Sequence, residues 1–280
     1  MKYVDLIPKS TLVIHGCIQT NDFTEIEQRI LMNYDVFSKF ENILVYYNKD
    51  NDNIDDSSFD SLKDVYKKHF PKCMFISDYE NRGWIMGGVN LTKKAYKFVS
   101  DNLDTEYIWM ITDDYLIEKI FLDVELESDN YDFFGMPFFG YGGIHKFDNN
   151  LNIPNFINHY LKDDFVPQFN FFIIRSKSVK DFFMMESRDC DEKYFLFIGN
   201  NRPFDQRELG LTGTERLIQQ TVNRNKLRTK VITDDLPFLN RLGEFVKRHN
   251  VHDPSYKNIY FKNYGLCHLD NVKMNLFVIE

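Results

Sequence analysis

Through the first half of the chain, short apolar runs alternate with segments whose apolar positions recur at helical spacing. Thr11–Ile18 (TLVIHGCI) predicts a strand, and Asn21–Phe40 predicts a helix with Ile26, Ile30 and Phe37 on one face. Asn42–Tyr47 (NILVYY) predicts a second strand. In Ser58–Phe70, Leu62, Val65, Tyr66 and His69 share a helical face before Pro71 stops the element. Cys73–Ser77 (CMFIS) predicts a third strand, Val89–Asn102 a helix with Ala95, Phe98 and Val99 inward, and Glu106–Thr112 (EYIWMIT) a fourth strand. Such alternation implies right-handed crossovers and a mostly parallel α/β sheet covered by helices. Ligands of these sheets bind beyond the carboxyl ends of the strands, so residues just after Ile18, Tyr47, Ser77 and Thr112 should gather along one edge.

The second half is less periodic. Tyr131–Met136 and Gln168–Ile174 predict strands; Ser176–Met185 and Thr214–Asn225 predict helices. From Leu236 onward Pro237, Gly243, Pro254 and Gly265 interrupt any long period. The expected division is a domain over residues 1–235 and an irregular extension over 236–280 that packs on it or closes over the site. The polar run Asn48–Ser58 predicts a surface loop.

The sharpest chemical feature is Ile111-Thr112-Asp113-Asp114-Tyr115, an apolar strand ending in two adjacent acids. Two carboxylates at the edge of a buried sheet repel one another unless a positive charge lies beside them. A divalent cation answers that need, since hard cations take oxygen ligands. A cap for a following helix, or a solvated turn, is the plain alternative. Upstream, Glu80-Asn81-Arg82-Gly83-Trp84-Ile85-Met86-Gly87-Gly88-Val89-Asn90 leads into a helix, and that helix leads into the acidic strand end.

This order resembles the GT-A glycosyltransferases, particularly those of the family 2 type. In them an Asn-x-Gly segment, a glycine-rich turn and an Asn open a helix, and the next strand ends in a metal-binding Asp-x-Asp signature. The resemblance implies a GT-A (Rossmann-like) fold, Asp114 and Asp113 as ligands of Mn2+ or Mg2+, and a nucleotide-sugar donor, UDP-linked by preference. It also implies donor contacts from Asn81, Arg82, Gly83, Gly87, Asn90 and Asp113. The chain departs from the pattern. Thr112-Asp113-Asp114 replaces a strict Asp-x-Asp, Val89 stands where an Arg often precedes the helix-opening Asn, and no acidic pair follows the second strand. Tyr47, in that last region, is expected to stack on the base or simply to pack.

Glu215 in Gly210-Leu211-Thr212-Gly213-Thr214-Glu215-Arg216 stands where the resembling families place the carboxylate that deprotonates an acceptor hydroxyl, which gives an inverting transfer to a glycan or glycolipid. Thr212-x-x-Glu215 is also a capping box, and on the local sequence alone that reading leads. Asp191, Glu192 and Glu208 are weaker rivals. His268 is a further candidate metal ligand, as the resemblance implies where such enzymes use a late His, although a lone late His is more often structural. Val231-Ile232-Thr233-Asp234-Asp235 nearly repeats the acidic strand end but follows a polar segment, so it predicts an edge strand running into a turn. His15 reads as a core or edge histidine. Phe138-Phe139-Gly140-Tyr141-Gly142-Gly143 suits a sugar-facing loop or an ordinary turn.

Composition narrows the classes. The 280 residues are 43% hydrophobic, enough for a sizeable core, with 27 Phe and 16 Tyr. The formal net charge of −8 and the lack of a basic stripe argue against nucleic acid as a partner, and with it against a metal-dependent nuclease. Cys17, Cys73, Cys190 and Cys267 form no C-x-x-C pair, which fits a reducing compartment. With neither a signal-peptide pattern nor an apolar run of membrane-spanning length, a cytoplasmic location is expected, in a bacterium or an infected host cell. Oligomeric state leaves no trace in the sequence. Two other functions stay open. A sugar-phosphate nucleotidyltransferase would use the same sheet and metal, but usually carries a glycine-rich loop with Arg and Lys after the first strand, where this chain has Gly16-Cys17-Ile18-Gln19-Thr20. A non-catalytic glycan-binding protein with a degenerate transferase fold is the other.

Overall fold

The computed structural model describes residues 1–49, 54–81, 84–128, 130–137, 167–180, 218, 221–232, 265–269 and 274. After a 3₁₀ turn at Tyr3–Lys9, the chain runs β1 (Ser10–Ile18), α1 (Thr24–Phe37), β2 (Asn42–Lys49), α2 (Ser57–His69), β3 (Met74–Asn81), α3 (Trp84–Asn102) and β4 (Tyr107–Thr112). Then come β5 (Tyr115–Ile117), a short helix α4 (Lys119–Leu122), β6 (Phe133–Pro137), β7 (Pro167–Arg175), β8 (Thr229–Val231) and β9 (Leu266–His268).

Seven strands form one sheet in the order β3-β2-β1-β4-β7-β6-β8, and β5 and β9 form a second, two-stranded sheet. β1, β2, β3 and β4 pair in parallel. β7 runs antiparallel to both β4 and β6, and β8 is parallel to β6, so β7 alone is reversed among the seven. The fold is therefore α/β and Rossmann-like, with a mostly parallel central sheet between helices.

The reason for the layers is visible in the strands. All six residues of β4 are buried, as expected where helices cover both faces of a parallel sheet. Successive side chains point to opposite faces. Leu12, Ile14, Val45, Tyr47, Trp109 and Ile111 join one core with Ile30 of α1 and with Leu62 and Tyr66 of α2. Val13, Leu44, Ile108 and Met110 join the other, beneath Leu91, Ala95 and Val99 of α3. Burying one such aliphatic side chain contributes about 1.5–3 kcal/mol, so the two faces hold the strand order firmly.

The predicted elements of the first half form with small changes of boundary, except at α3. That helix starts at Trp84, not Val89, so Gly87 and Gly88 lie within a helix rather than a turn, and Asn90 lies inside α3 rather than opening it. Its apolar face on the sheet outweighs the roughly 1 kcal/mol that each helical glycine costs. The predicted helix from Ser176 does not form at its start: Ser176–Ser178 make a turn after β7. Residues 181–185 of that prediction lie outside the described residues. Ile218 and residues 221–224 are helical as expected. β8 takes the edge of the sheet, as the polar sequence before Val231 predicts. Among the described residues no helix is long and apolar enough to cross a membrane.

Candidate functional site

β4 ends at Thr112, and Asp113 and Asp114 make the two-residue turn into β5. They cap no helix. The Asp113 amide donates to the His15 carbonyl at 3.0 Å, which extends the β1–β4 pairing by one step and sets the turn at the carboxyl edge of the sheet. Side chains from β2, β4 and β9 then bond the two acids.

From β2, the Tyr47 hydroxyl donates to Asp113 Oδ2 at 2.9 Å and lies 2.9 Å from the Tyr66 hydroxyl of α2. Tyr47 is 0% exposed and its ring stacks on Phe75. It has no face to offer a base, which corrects the stacking expectation: Tyr47 packs, and its hydroxyl fixes Asp113. From β1, Gly16 lets this happen. A Cβ there would stand 2.8 Å from Asp113 Cγ, Asp113 Oδ1 and Tyr47 Cε1.

Asp114 is held from the other direction. Thr112 Oγ1 donates to Asp114 Oδ1 at 2.6 Å, and His268 Nε2 lies 3.0 Å from Asp114 Oδ2. The two-stranded sheet makes that meeting possible across 154 residues of chain. Tyr115 pairs with His268 in the β5–β9 register, the Leu269 amide donates to the Asp114 carbonyl at 2.9 Å, and the His268 ring lies parallel to that of Tyr115. The outer edge of β5 is closed by Asn33 of α1, which accepts from the Ile117 amide and donates to the Tyr115 carbonyl. Gly265 begins this segment with φ +66°, a conformation that favours glycine.

β7 contributes Asn170. Its reversed register sets Phe171 opposite Ile111, and Asn170 follows opposite Thr112. The Asn170 amide lies 2.9 Å from His268 Nε2 and 3.4 Å from Thr112 Oγ1.

The electrostatics separate the two acids. Burial, reinforced by the charge of Asp114, pushes Asp113 up to about 6, while Arg29 and the Tyr47 hydrogen bond oppose the shift. Burial acts on Asp114 in the same sense, but the charge and hydrogen bond of His268, with the Thr112 hydroxyl, hold it well below the usual carboxylate range. Burial also lowers His15 to about 4, so it is neutral near pH 7. Arg29 of α1 has a buried Nε without a hydrogen bond among the described residues. Its charge reaches both acids, a role with no signal in the sequence: Glu25 four residues earlier, its ion-pair partner, makes it look like a surface residue.

Does this set fit a divalent cation? Among the described residues no three His, Cys, Asp or Glu side chains gather in a metal-holding group. Asp114 Oδ2 and His268 Nε2 nevertheless lie 3.0 Å apart, with side chains 22% and 23% exposed. The neighbouring Asp113 raises the local negative charge. The donor chemistry fits, with Asp114 and His268 as the core of the set and Asp113 behind it, occupied by Tyr47.

Other expectations fall differently. Asn81 ends β3 and Gly87 and Asn90 ride on α3. Arg82, Gly83, Glu215, Asp191, Glu192, Glu208, Asp234, Asp235 and the Phe138–Gly143 cluster lie outside the described residues. Asn48, to which no sequence motif assigns a role, is 0% exposed at the end of β2, and neither of its amide atoms has a hydrogen bond among the described residues. Arg175, similarly unassigned, bonds Glu106 and the Tyr107 hydroxyl at the opposite end of β4.

No family model and no curated protein matches the sequence. Among solved structures, the chain is similar to the inositol-1-phosphate CTP transferase from T. maritima, at 8% identity and a TM-score of 0.40, over 87% of this chain and 98% of that one. It is also similar to HddC from Yersinia pseudotuberculosis, at 15% identity and a TM-score of 0.36, over 61% of this chain and 79% of that one. Neither is named a glycosyltransferase, and likeness at these values carries no weight for chemistry.

Proposed function

We propose that this protein is a transferase that works, with a divalent cation, at the phosphates of a nucleotide bound along the carboxyl edge of its sheet. The observation that carries the reading is the meeting of Asp114 and His268 at 3.0 Å beside Asp113, at the edge where such sheets take ligands. A cation there, Mn2+ or Mg2+, would neutralise charge developing on the phosphate oxygens. Asp114 and His268 hold it; Thr112 orients Asp114; Tyr47 and Gly16 fix Asp113.

Within this reading the bond broken is the glycosidic bond of a nucleoside-diphosphate sugar, and the acceptor is a hydroxyl of a glycan or glycolipid. Support comes from the acidic strand end at Asp113-Asp114 and from the segment after β1, Gln19-Thr20-Asn21-Asp22-Phe23, which has no Lys or Arg to hold a triphosphate. Glu215 is assigned proton removal from the acceptor on its sequence placement. The second reading, nucleotidyl transfer to a sugar or polyol phosphate, uses the same edge and ligands and is the activity for which the T. maritima protein is named.

Product analysis decides between them. The protein is incubated with Mn2+ and either nucleotide sugars or nucleoside triphosphates plus sugar phosphates. Release of nucleoside diphosphate supports glycosyl transfer, and release of pyrophosphate supports the second reading. If neither product forms, and no nucleotide with Mn2+ raises the melting temperature, the transferase reading is wrong.

A further inference from the structure

The hydrogen-bond pattern around His268 Nε2 does not close. That nitrogen lies 3.0 Å from Asp114 Oδ2 and 2.9 Å from the side-chain amide of Asn170. One imidazole nitrogen carries either one hydrogen or one lone pair. With a hydrogen it serves the carboxylate and confronts the amide N–H. With a lone pair it accepts from the amide and is repelled by the carboxylate. A half-turn of the Asn170 amide presents Oδ1 instead and leaves two acceptors sharing one hydrogen. All three atoms are satisfied together when each directs a lone pair at a common cation.

The spacing agrees. Ligands about 2.1 Å from a six-coordinate ion and at right angles are about 3.0 Å apart. His268 Nε2 lies 3.0 Å from Asp114 Oδ2 and 2.9 Å from Asn170 Nδ2, the place that Oδ1 takes after a half-turn of the amide. The three atoms come from the turn after β4, from β7 and from β9, so none meets another by local chain geometry. Thr112 ties down the second oxygen of Asp114, the kind of support that keeps a ligating carboxylate in place.

We propose that Asn170 is a ligand of the divalent cation through its amide oxygen, completing with Asp114 and His268 a three-residue set that takes Mn2+ in preference to Mg2+. Two oxygens and one imidazole nitrogen suit Mn2+ better than Mg2+, which favours oxygen alone, while Zn2+ would compete for the same set and metal availability selects between them. The inference rests on the cation reading above and adds the residue that supplies the third ligand atom.

The test uses the full-length protein and Mn2+ alone, followed by loss of the free-ion electron paramagnetic resonance signal, with melting measured in parallel. Wild type should bind. Asn170→Ala should bind at least tenfold more weakly, and His268→Ala likewise. Asn170→Asp returns an oxygen to the site beside Asp114; it should melt below wild type in the absence of metal and recover with Mn2+. An amide that only bonds its neighbours predicts no such rescue. If wild type fails to bind Mn2+, the cation reading falls and takes this inference with it. If wild type binds, His268→Ala does not, and Asn170→Ala binds like wild type, the role of Asn170 is overturned while the cation reading stands. Should Asn170→Ala fail to fold, Asn170→Asp decides alone: lack of rescue overturns the proposal.

Discussion

Replacing Gly16 by Ala tests the packing of the acidic edge with a single methyl group. The added Cβ would lie 2.8 Å from Asp113 Cγ, Asp113 Oδ1 and Tyr47 Cε1, against the 3.5–4.0 Å of a comfortable contact. Gly16 lies within β1, so any gain from a stiffer unfolded chain is available, about 0.4–1 kcal/mol. Against it stands overpacking, about 1–3 kcal/mol. Asp113 and Tyr47 are tied by a 2.9 Å hydrogen bond, and Tyr47 is tied to Tyr66, so neither moves without strain on the pair. Losing a hydrogen bond to a charged group costs a further ~1.5–3 kcal/mol. The net loss should be about 2–4 kcal/mol, a fall in melting temperature of about 4–8 °C by the usual scaling for a chain of this size. Thermal melts followed by circular dichroism measure it. In an Asp113→Ala background two of the three close contacts vanish, and the cost of Gly16→Ala should shrink accordingly. A melting temperature within ~1 °C of wild type, or an equal cost in both backgrounds, would refute the close packing.

Three other outcomes are expected. Asn48→Leu removes a buried amide with no bond among the described residues and should raise the melting temperature by about 2–6 °C, from the ~1–3 kcal/mol such a group costs; a lower value would mean that the amide is satisfied. Gly265→Ala puts a side chain at φ +66° and against Ile120 and the Phe121 amide, so β9 should dock poorly and Mn2+ binding should weaken as in His268→Ala; unchanged binding counts against the role of β9. The third concerns acid. His15 binds its proton at about 4 in the folded chain against 6.5 unfolded, so its neutral burial stabilises above pH 6.5 and that stability is lost as pH falls. Asp113 binds its proton at about 6 against 3.8, so its ionisation destabilises above pH 6 and that penalty is relieved as pH falls. Between pH 7 and 4.5 the two effects, each about 2 kcal/mol, nearly cancel. His15→Leu should therefore gain stability on acidification and Asp113→Asn should lose it, by urea unfolding at the two pH values. The same trend in both variants would overturn the assignment.

The readable and unreadable parts of this fold divide by physical cause. β1, β2 and β4 are buried on both faces, so their sequences are unbroken apolar runs that no turn imitates. The helices between them show one apolar face. Asp113 and Asp114 stood out because charge ends such a run abruptly. The start of α3 is hidden in the sequence because Gly87 and Gly88 have low helix propensity, while the packing of Leu91, Ala95 and Val99 that overrides it is tertiary. β5 and β9 are three residues each, too short to show a period. Tyr47 looked like a ligand contact because a strand-end aromatic is ambiguous; its hydroxyl partner, Asp113, lies 66 residues away. Asn170 drew no attention, since a lone Asn in an aromatic strand has no motif, and its position depends on the reversal of β7.

That reversal bears on how the site is built. A sheet of parallel strands alone brings only strand ends to its carboxyl edge. β7 runs the other way, so its first residues reach that edge, and Asn170 arrives opposite Thr112 with Phe171 and Phe172 anchoring it in the two cores behind. β9 arrives by a different route, paired among the described residues with β5, with Leu266 in the main core and Cys267 and Leu269 against Leu116. A ligand shared by Asp114, Asn170 and His268 would join this late strand to the central sheet, so its binding energy would appear as docking energy of β9. In this arrangement the residues that complete the site also depend on its occupant, and metal affinity and the local stability of β9 are two measures of one equilibrium.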